Sequence, residues 1–128
     1  MGTTSTYLEE MIKLLGIPNY RGYYMKDDLV NIKPKKYECL LVNLENHNQQ
    51  GSHHTALYKK DNMKIYFDSF GKAPPEAVIK YMGKNSIICS SFQIQPIKSD
   101  FCGEFCVLVL LLLSKGMPYE EILLELYK

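Results

Sequence analysis

The chain has almost no net charge, no long apolar run, no paired-cysteine framework and no tryptophan. Fifteen lysines and arginines stand against 14 aspartates and glutamates, a balance of +1, so overall charge gives no reason to expect nucleic acid or a membrane surface as a partner. The local clusters Lys33, Lys35, Lys36 and Lys59, Lys60, Lys64 read as solvated faces. The longest apolar stretch, Phe105 to Leu113, has nine residues, whereas a membrane span needs about 20. MGTTSTYLEEMIK lacks the basic-then-apolar order of a secretory signal, so a protein that is not secreted is expected. In a reducing compartment Cys39, Cys89, Cys102 and Cys106 should be thiols. CGEFC is the only close cysteine pair, and His47, His53 and His54 are not at ligand spacing from it, so neither metal nor cofactor is expected.

What is present is a chain of 128 residues, 46% hydrophobic, which suffices for one domain spanning 1–128 and not for two. Thr4 or Ser5 can cap a helix with Leu8, Met11, Leu14 and Leu15 as its apolar positions, ending at Gly16 before Pro18. IPNYRGYYMKDDL reads as an ordered loop. Residues 39–44, CLLVNL, suit a buried strand, and ENHNQQGS a turn. HHTALYKK and MKIYFDSF form a hairpin about Asp61 and Asn62 that brings His53 and Asp68 to the same end. PEAVIKYM predicts a short helix with Pro75 near its first turn, and SIICSSFQIQ a strand ending near Gln95 before Pro96. From a cap at Ser99 or Asp100 the chain enters a helix that is apolar all round and so expected to be covered on every side, and Pro118 opens a last amphipathic helix.

The chemistry gathers at Cys102. Cysteine attacks as the thiolate, and a free thiol with a pKa of about 8.5 is mostly protonated at neutral pH, so the anion needs stabilising. A helix N-terminus and a nearby imidazolium both do this. Strand alternation sends only one of His53 and His54 into the cleft. An aspartate on the adjacent strand can hold one nitrogen of that ring and leave the other to face sulfur. Gln95, seven residues before the thiol, can offer an amide to a developing oxyanion. Gly103 keeps a substrate backbone clear of a side chain, while Cys106, one turn deeper, reads as a small buried hydrophobe.

The order His, Asp, Gln, Cys, in GSHHTAL, YFDSFG and QPIKSDFCGEFC, resembles the adenovirus maturation protease (adenain) family, whose clan includes the SUMO-specific proteases. YRGYYMKDDL and LVNLENHNQQGSHH resemble segments of the maturation proteases of virophages and Polinton or Maverick elements. The resemblance runs from about Tyr20 to Leu113. It implies an α+β papain-like fold, with a central helix bearing the nucleophile on a small mixed sheet. It makes Cys102 the nucleophile, His53 the base, Asp68 its orienting acid and Gln95 an oxyanion donor. The family usually has Trp directly after the catalytic His, and here His54 takes that place; Gly51, Ser52 and Ala56 favour His53 as the base. Asp27 and Asp28 match an acidic position of the relatives, and Tyr23 and Tyr24 either line a peptide groove or pack.

The implied activity is maturation of viral capsid or scaffold precursors, cleaved after small residues, by a monomer in virions and infected host cells. Adenovirus relatives are stimulated by a disulfide-linked peptide and by DNA; Cys39 or Cys89 are the candidates to accept such a peptide. Other readings are a protease for ubiquitin-like modifiers, an acyltransferase of the same clan, and a non-catalytic binding module.

Overall fold

The computed structural model describes residues 4–45, 53–83, 85–89 and 102–127. The first helix, α1 (Ser5–Leu15), is capped as its sequence requires: Thr4 Oγ1 accepts from the Tyr7 amide at 3.2 Å, and Gly16 closes it in the left-handed region at φ 68°. Leu8 and Ile12 form its buried stripe.

Five strands follow in a mixed sheet whose spatial order matches the chain order. They are β1 (Tyr20–Met25), β2 (Glu38–Asn43), β3 (His54–Lys60), β4 (Met63–Phe67) and β5 (Ile87–Cys89). β2, β3 and β4 run antiparallel to one another, while the outer strands β1 and β5 lie parallel to β2 and β4. Parallel neighbours need crossovers. A 3-10 segment (Lys26–Asn31) makes the first, and α2 (Glu76–Met82), entered through Pro75, makes the second. α3 (Cys102–Ser114) and α4 (Tyr119–Tyr127) complete the chain order.

The loop expected at IPNYRGYYMKDDL is instead β1 plus the 3-10 turn. The period-2 signal was missing because all six residues of β1 are half-buried and the register shifts between Tyr20 and Tyr23, where Gly22 sits at φ 139°. Of the strand expected over SIICSSFQIQ, Ile87–Cys89 is seen; Gln95, Pro96, Ser99 and Asp100 lie outside the described residues.

Both faces of the sheet are covered, which is why β2 reads as an unbroken apolar run. Cys39, Leu41, Ala56, Ile65 and Phe67 pack with α1, α3 and α4. Leu40, Val42, Leu57 and Tyr66 pack with Leu29 and with Val78, Tyr81 and Met82 of α2. α3 lies along β3, but its cover is not complete, since Leu108 is 39% exposed. No helix among the described residues is long and apolar enough to cross a membrane.

One ionic cluster joins the second face. Glu38 and Lys59 are register partners on β2 and β3, and Lys59 Nζ lies 3.0 Å from Glu38 Oε2. The Lys35 amide donates to the same oxygen at 2.9 Å. Oε1 accepts from Arg21 Nη1 at 2.9 Å and from the Tyr81 hydroxyl at 2.7 Å. Burial alone would raise the Glu38 pKa, but these donors together lower it. Such a carboxylate is costly to bury and costlier to remove, because its cations stay behind. Glu38→Ala should lower stability by about 3–5 kcal/mol in thermal or denaturant unfolding. The wild-type advantage should be full above the ordinary carboxylate range and fade as pH falls through the lowered folded pKa.

Candidate active site

The β3–β4 hairpin turns at Asp61 and Asn62, with Lys60 paired to Met63 and Ala56 to Phe67. Continued outward, that register sets residue 53 opposite residue 70. The rings of His53 and Phe70 do stack there, with centroids 4.5 Å apart and planes 2° from parallel. β4 ends at Phe67, so Asp68 turns out of the ladder and its side chain reaches the same ring. His53 Nε2 donates to Asp68 Oδ1 at 2.9 Å, and the Phe70 amide donates to that oxygen at 2.8 Å. The Gly71 amide donates to the Asp68 carbonyl at 2.9 Å. Asp68 is thus held in a small turn of its own, 1% exposed.

With Nε2 committed to Asp68, Nδ1 is the ring nitrogen left over. It is buried and has no nitrogen or oxygen partner among the described residues. Cys102, the first residue of α3 and 5% exposed, interacts with this ring. Burial disfavours a charged His53, but the Asp68 carboxylate and the Cys102 side chain outweigh it and raise the ring's pKa from 6.5 to about 9. The ring is therefore mostly imidazolium at neutral pH. A thiol at the start of a helix, an imidazole whose pKa is raised and a buried carboxylate thus lie in series.

His54 points the other way. It is 1% exposed, and the Tyr23 hydroxyl meets its Nδ1 at 2.7 Å. Its carbonyl accepts from Cys106 Sγ at 3.4 Å. The alternation expected of the doublet is seen, and His53 is the member beside Asp68. Cys106 is fully buried, and desolvation pushes its thiol well above its usual pKa.

Gly103 has a different setting from the one expected. A Cβ there would lie 2.7 Å from Leu8 Cδ1, 3.0 Å from Leu8 Cδ2 and 3.2 Å from His54 Cδ2. The missing side chain lets the first turn of α3 settle onto α1 and β3. Tyr24 packs on the second face and donates to the Arg21 carbonyl at 3.2 Å. Asp27 and Asp28 lie in the first turn of the 3-10 segment. Cys39 is buried, which raises its pKa to about 12, whereas Cys89 is exposed. Gln95 lies outside the described residues. The sequence reading missed Phe70, Leu8 and the bond from Tyr23. The hairpin register pointed to Phe70; the other two required the packing of α1 and β1.

No protein-family model and no curated protein sequence matches the chain. Solved structures do, and they belong to the clan of SUMO-protease and adenain-like cysteine proteases. The chain has that clan's α+β fold. It aligns with the ASFV pS273R protease at a TM-score of 0.66 and 14% identity, over 99% of this chain and 65% of that one. HopZ1a, in its complex with IP6 and CoA, aligns at 0.59 and 14% identity, over 88% of this chain and 42% of that one. The SUMO protease Ulp1, with its catalytic cysteine oxidized to a sulfinic acid, aligns at 0.51 and 15% identity, over 98% and 74%. The chain thus spans a little under two-thirds of the length of the ASFV protease.

Two outcomes follow from the geometry. An NMR titration of the histidine rings should give His53 a midpoint near 9, and Asp68→Asn should move it down toward 6.5. Because the folded pKa is raised, the stability this pair contributes is full below 6.5 and is lost as pH rises from there through about 9. Gly103→Ala should cost about 1–3 kcal/mol by overpacking, and less in a Leu8→Ala background, so that the two changes fall short of additive in unfolding experiments.

Proposed function

We propose that the chain is a cysteine endopeptidase in which Cys102 is the nucleophile, His53 the base and Asp68 the acid that orients it. The observation that carries this reading is the His53–Asp68 pair, delivered by one hairpin beside the thiol that begins α3. The Cys102 thiolate attacks the scissile carbonyl while His53 is imidazolium. Backbone amides at the start of α3 and the side-chain NH2 of Gln95 donate to the oxyanion, the role of Gln95 resting on its place in the sequence. The tetrahedral intermediate collapses as Nδ1–H of His53 protonates the leaving amine. His53, now neutral, takes a proton from water, and the hydroxide clears the thioester to give acid and free thiol.

The substrates proposed are capsid or scaffold precursors in a virion or infected cell, cut after small residues such as glycine. Support comes from the QPIKSDFCGEFC resemblance and from the fold shared with the ASFV protease. Of the two cysteines considered for an activating peptide, exposure favours Cys89. Transfer of an acyl group to Ser, Thr or Lys is the second reading, favoured by the likeness to the CoA complex of HopZ1a.

Iodoacetamide should alkylate Cys102 faster than Cys89 at neutral pH, as read by mass spectrometry, and the excess should disappear in His53→Ala and persist in a variant that removes one exposed surface charge, such as Lys72→Gln. In a proteome-derived peptide library, cleavage should vanish in Cys102→Ala and fall by about a hundredfold or more in His53→Ala. A Cys102 no more reactive than Cys89 would sink the reading. Acetylation of Cys102 by acetyl-CoA without peptide cleavage would replace it with the transferase.

A further inference from the structure

Beneath the first turn of α3 a second polar chain runs through groups that the proposed reaction does not use. It begins at Asn43, the last residue of β2 and the register partner of His54. Asn43 Oδ1 accepts from the Glu45 amide at 2.9 Å, and this fixes which way its amide faces. The remaining NH2 donates to the Tyr23 hydroxyl. Tyr23 is half-buried, and desolvation raises its pKa to about 12, so the hydroxyl keeps its proton at neutral pH. The hydroxyl accepts from Asn43 through one of its two lone pairs and has one proton to give. His54 Nδ1, 2.7 Å away, is the acceptor of that proton when the ring carries its own on Nε2.

This direction has a chemical consequence. A neutral imidazole has one donor and one acceptor nitrogen, so an Nδ1 that accepts leaves the proton on Nε2. With that direction, the Asn43–Tyr23 arm selects one tautomer of a buried ring. That ring is also the floor of the nucleophile's turn: its Cδ2 bounds the space left by Gly103, and its carbonyl holds Cys106. The titratable groups that face Tyr23 from neighbouring elements are Cys102 and Cys106 on α3 and Glu9 on α1. A cationic His54 in this place would compete with His53 for the thiolate.

We infer that Asn43, Tyr23 and His54 form a positioning relay that holds His54 as the neutral Nε2–H tautomer and thereby seats Cys102 against His53. The inference rests on the catalytic reading of Cys102 and His53, and it gives Tyr23 and His54 a place in that site distinct from its base and nucleophile.

The test uses the full chain labelled with 15N-histidine. Long-range proton–nitrogen correlations report the tautomer of each ring, and iodoacetamide kinetics report Cys102. The wild type should show His54 as Nε2–H, unchanged between about pH 6 and 8. In Tyr23→Phe the ring loses its donor, and in Asn43→Asp the carboxylate draws the tyrosine proton away from it. Both variants should give mixed or titrating His54 signals and a fall of about tenfold in the alkylation rate, the effect of losing one hydrogen bond. Loss of packing alone would lower the melting temperature without shifting the tautomer. A wild-type His54 protonated on Nδ1, or variants that keep both tautomer and rate, would overturn the inference. If wild-type Cys102 reacts no faster than Cys89, the catalytic reading fails and the inference with it. A fast wild type indifferent to Tyr23→Phe defeats the relay alone.

Discussion

The register of the β3–β4 hairpin is the constraint on which the site depends. Asp61, at φ 55°, lets the chain reverse in two residues, and from there each ladder pair fixes the next. The acid and the imidazole come from residues on either side of this turn. No loop has to be ordered to bring them together, so the entropy of closing the site is settled when the hairpin forms. The exit of the chain after Phe67 then matters as much as the pairing. It frees Asp68 to reach the histidine ring, and it leaves Phe70 to lie flat against that ring.

The third group comes from a separate element, and its placement is a packing problem. α3 can bring Cys102 to the hairpin's end only if its first turn approaches β3 and α1 closely. Gly103 permits the approach, and Leu8 and His54 set its limit. Protein interiors are close-packed, so a contact of this kind transmits small changes of volume directly. The sulfur and the imidazole are thus positioned by apolar contacts that have no part in the chemistry.

Much of this was legible in the sequence. The caps at Thr4 and Gly16, the apolar strand at Cys39 and the turn at Asp61 and Asn62 are local signals, and local signals survive folding. The meeting of His53 with Asp68 follows from them, and the α+β class was implied by the family resemblance. β1 was not legible, because its half-buried residues and the shift at Gly22 erase the alternation on which strand recognition depends. Nor was the full setting of Gly103, since a glycine next to a thiol reads equally well as room for a substrate or as room for a neighbour. Only the positions of Leu8 and His54, distant in sequence, separate the two. Cover on every side of α3 was overestimated because a run of leucines carries no sign of which one lies at the rim.

The doublet of His53 and His54 makes the register of β3 hard to fix from that end of the strand. A strand that slips by one residue exchanges its faces, and apolar strands usually reveal the error by exposing their cores. At His53 and His54 the error would be nearly invisible, since one imidazole would take the place of the other beside Asp68. Such a molecule could fold, stack a histidine on Phe70 and still be misassembled. The cluster at Glu38 does not catch this slip either, because Lys60 would then take the place of Lys59 beside the carboxylate. What catches it is the apolar pair Ala56 and Leu57, which pack on opposite faces of the sheet and would exchange them. Two doublets in one strand thus leave its register to the apolar residues between them.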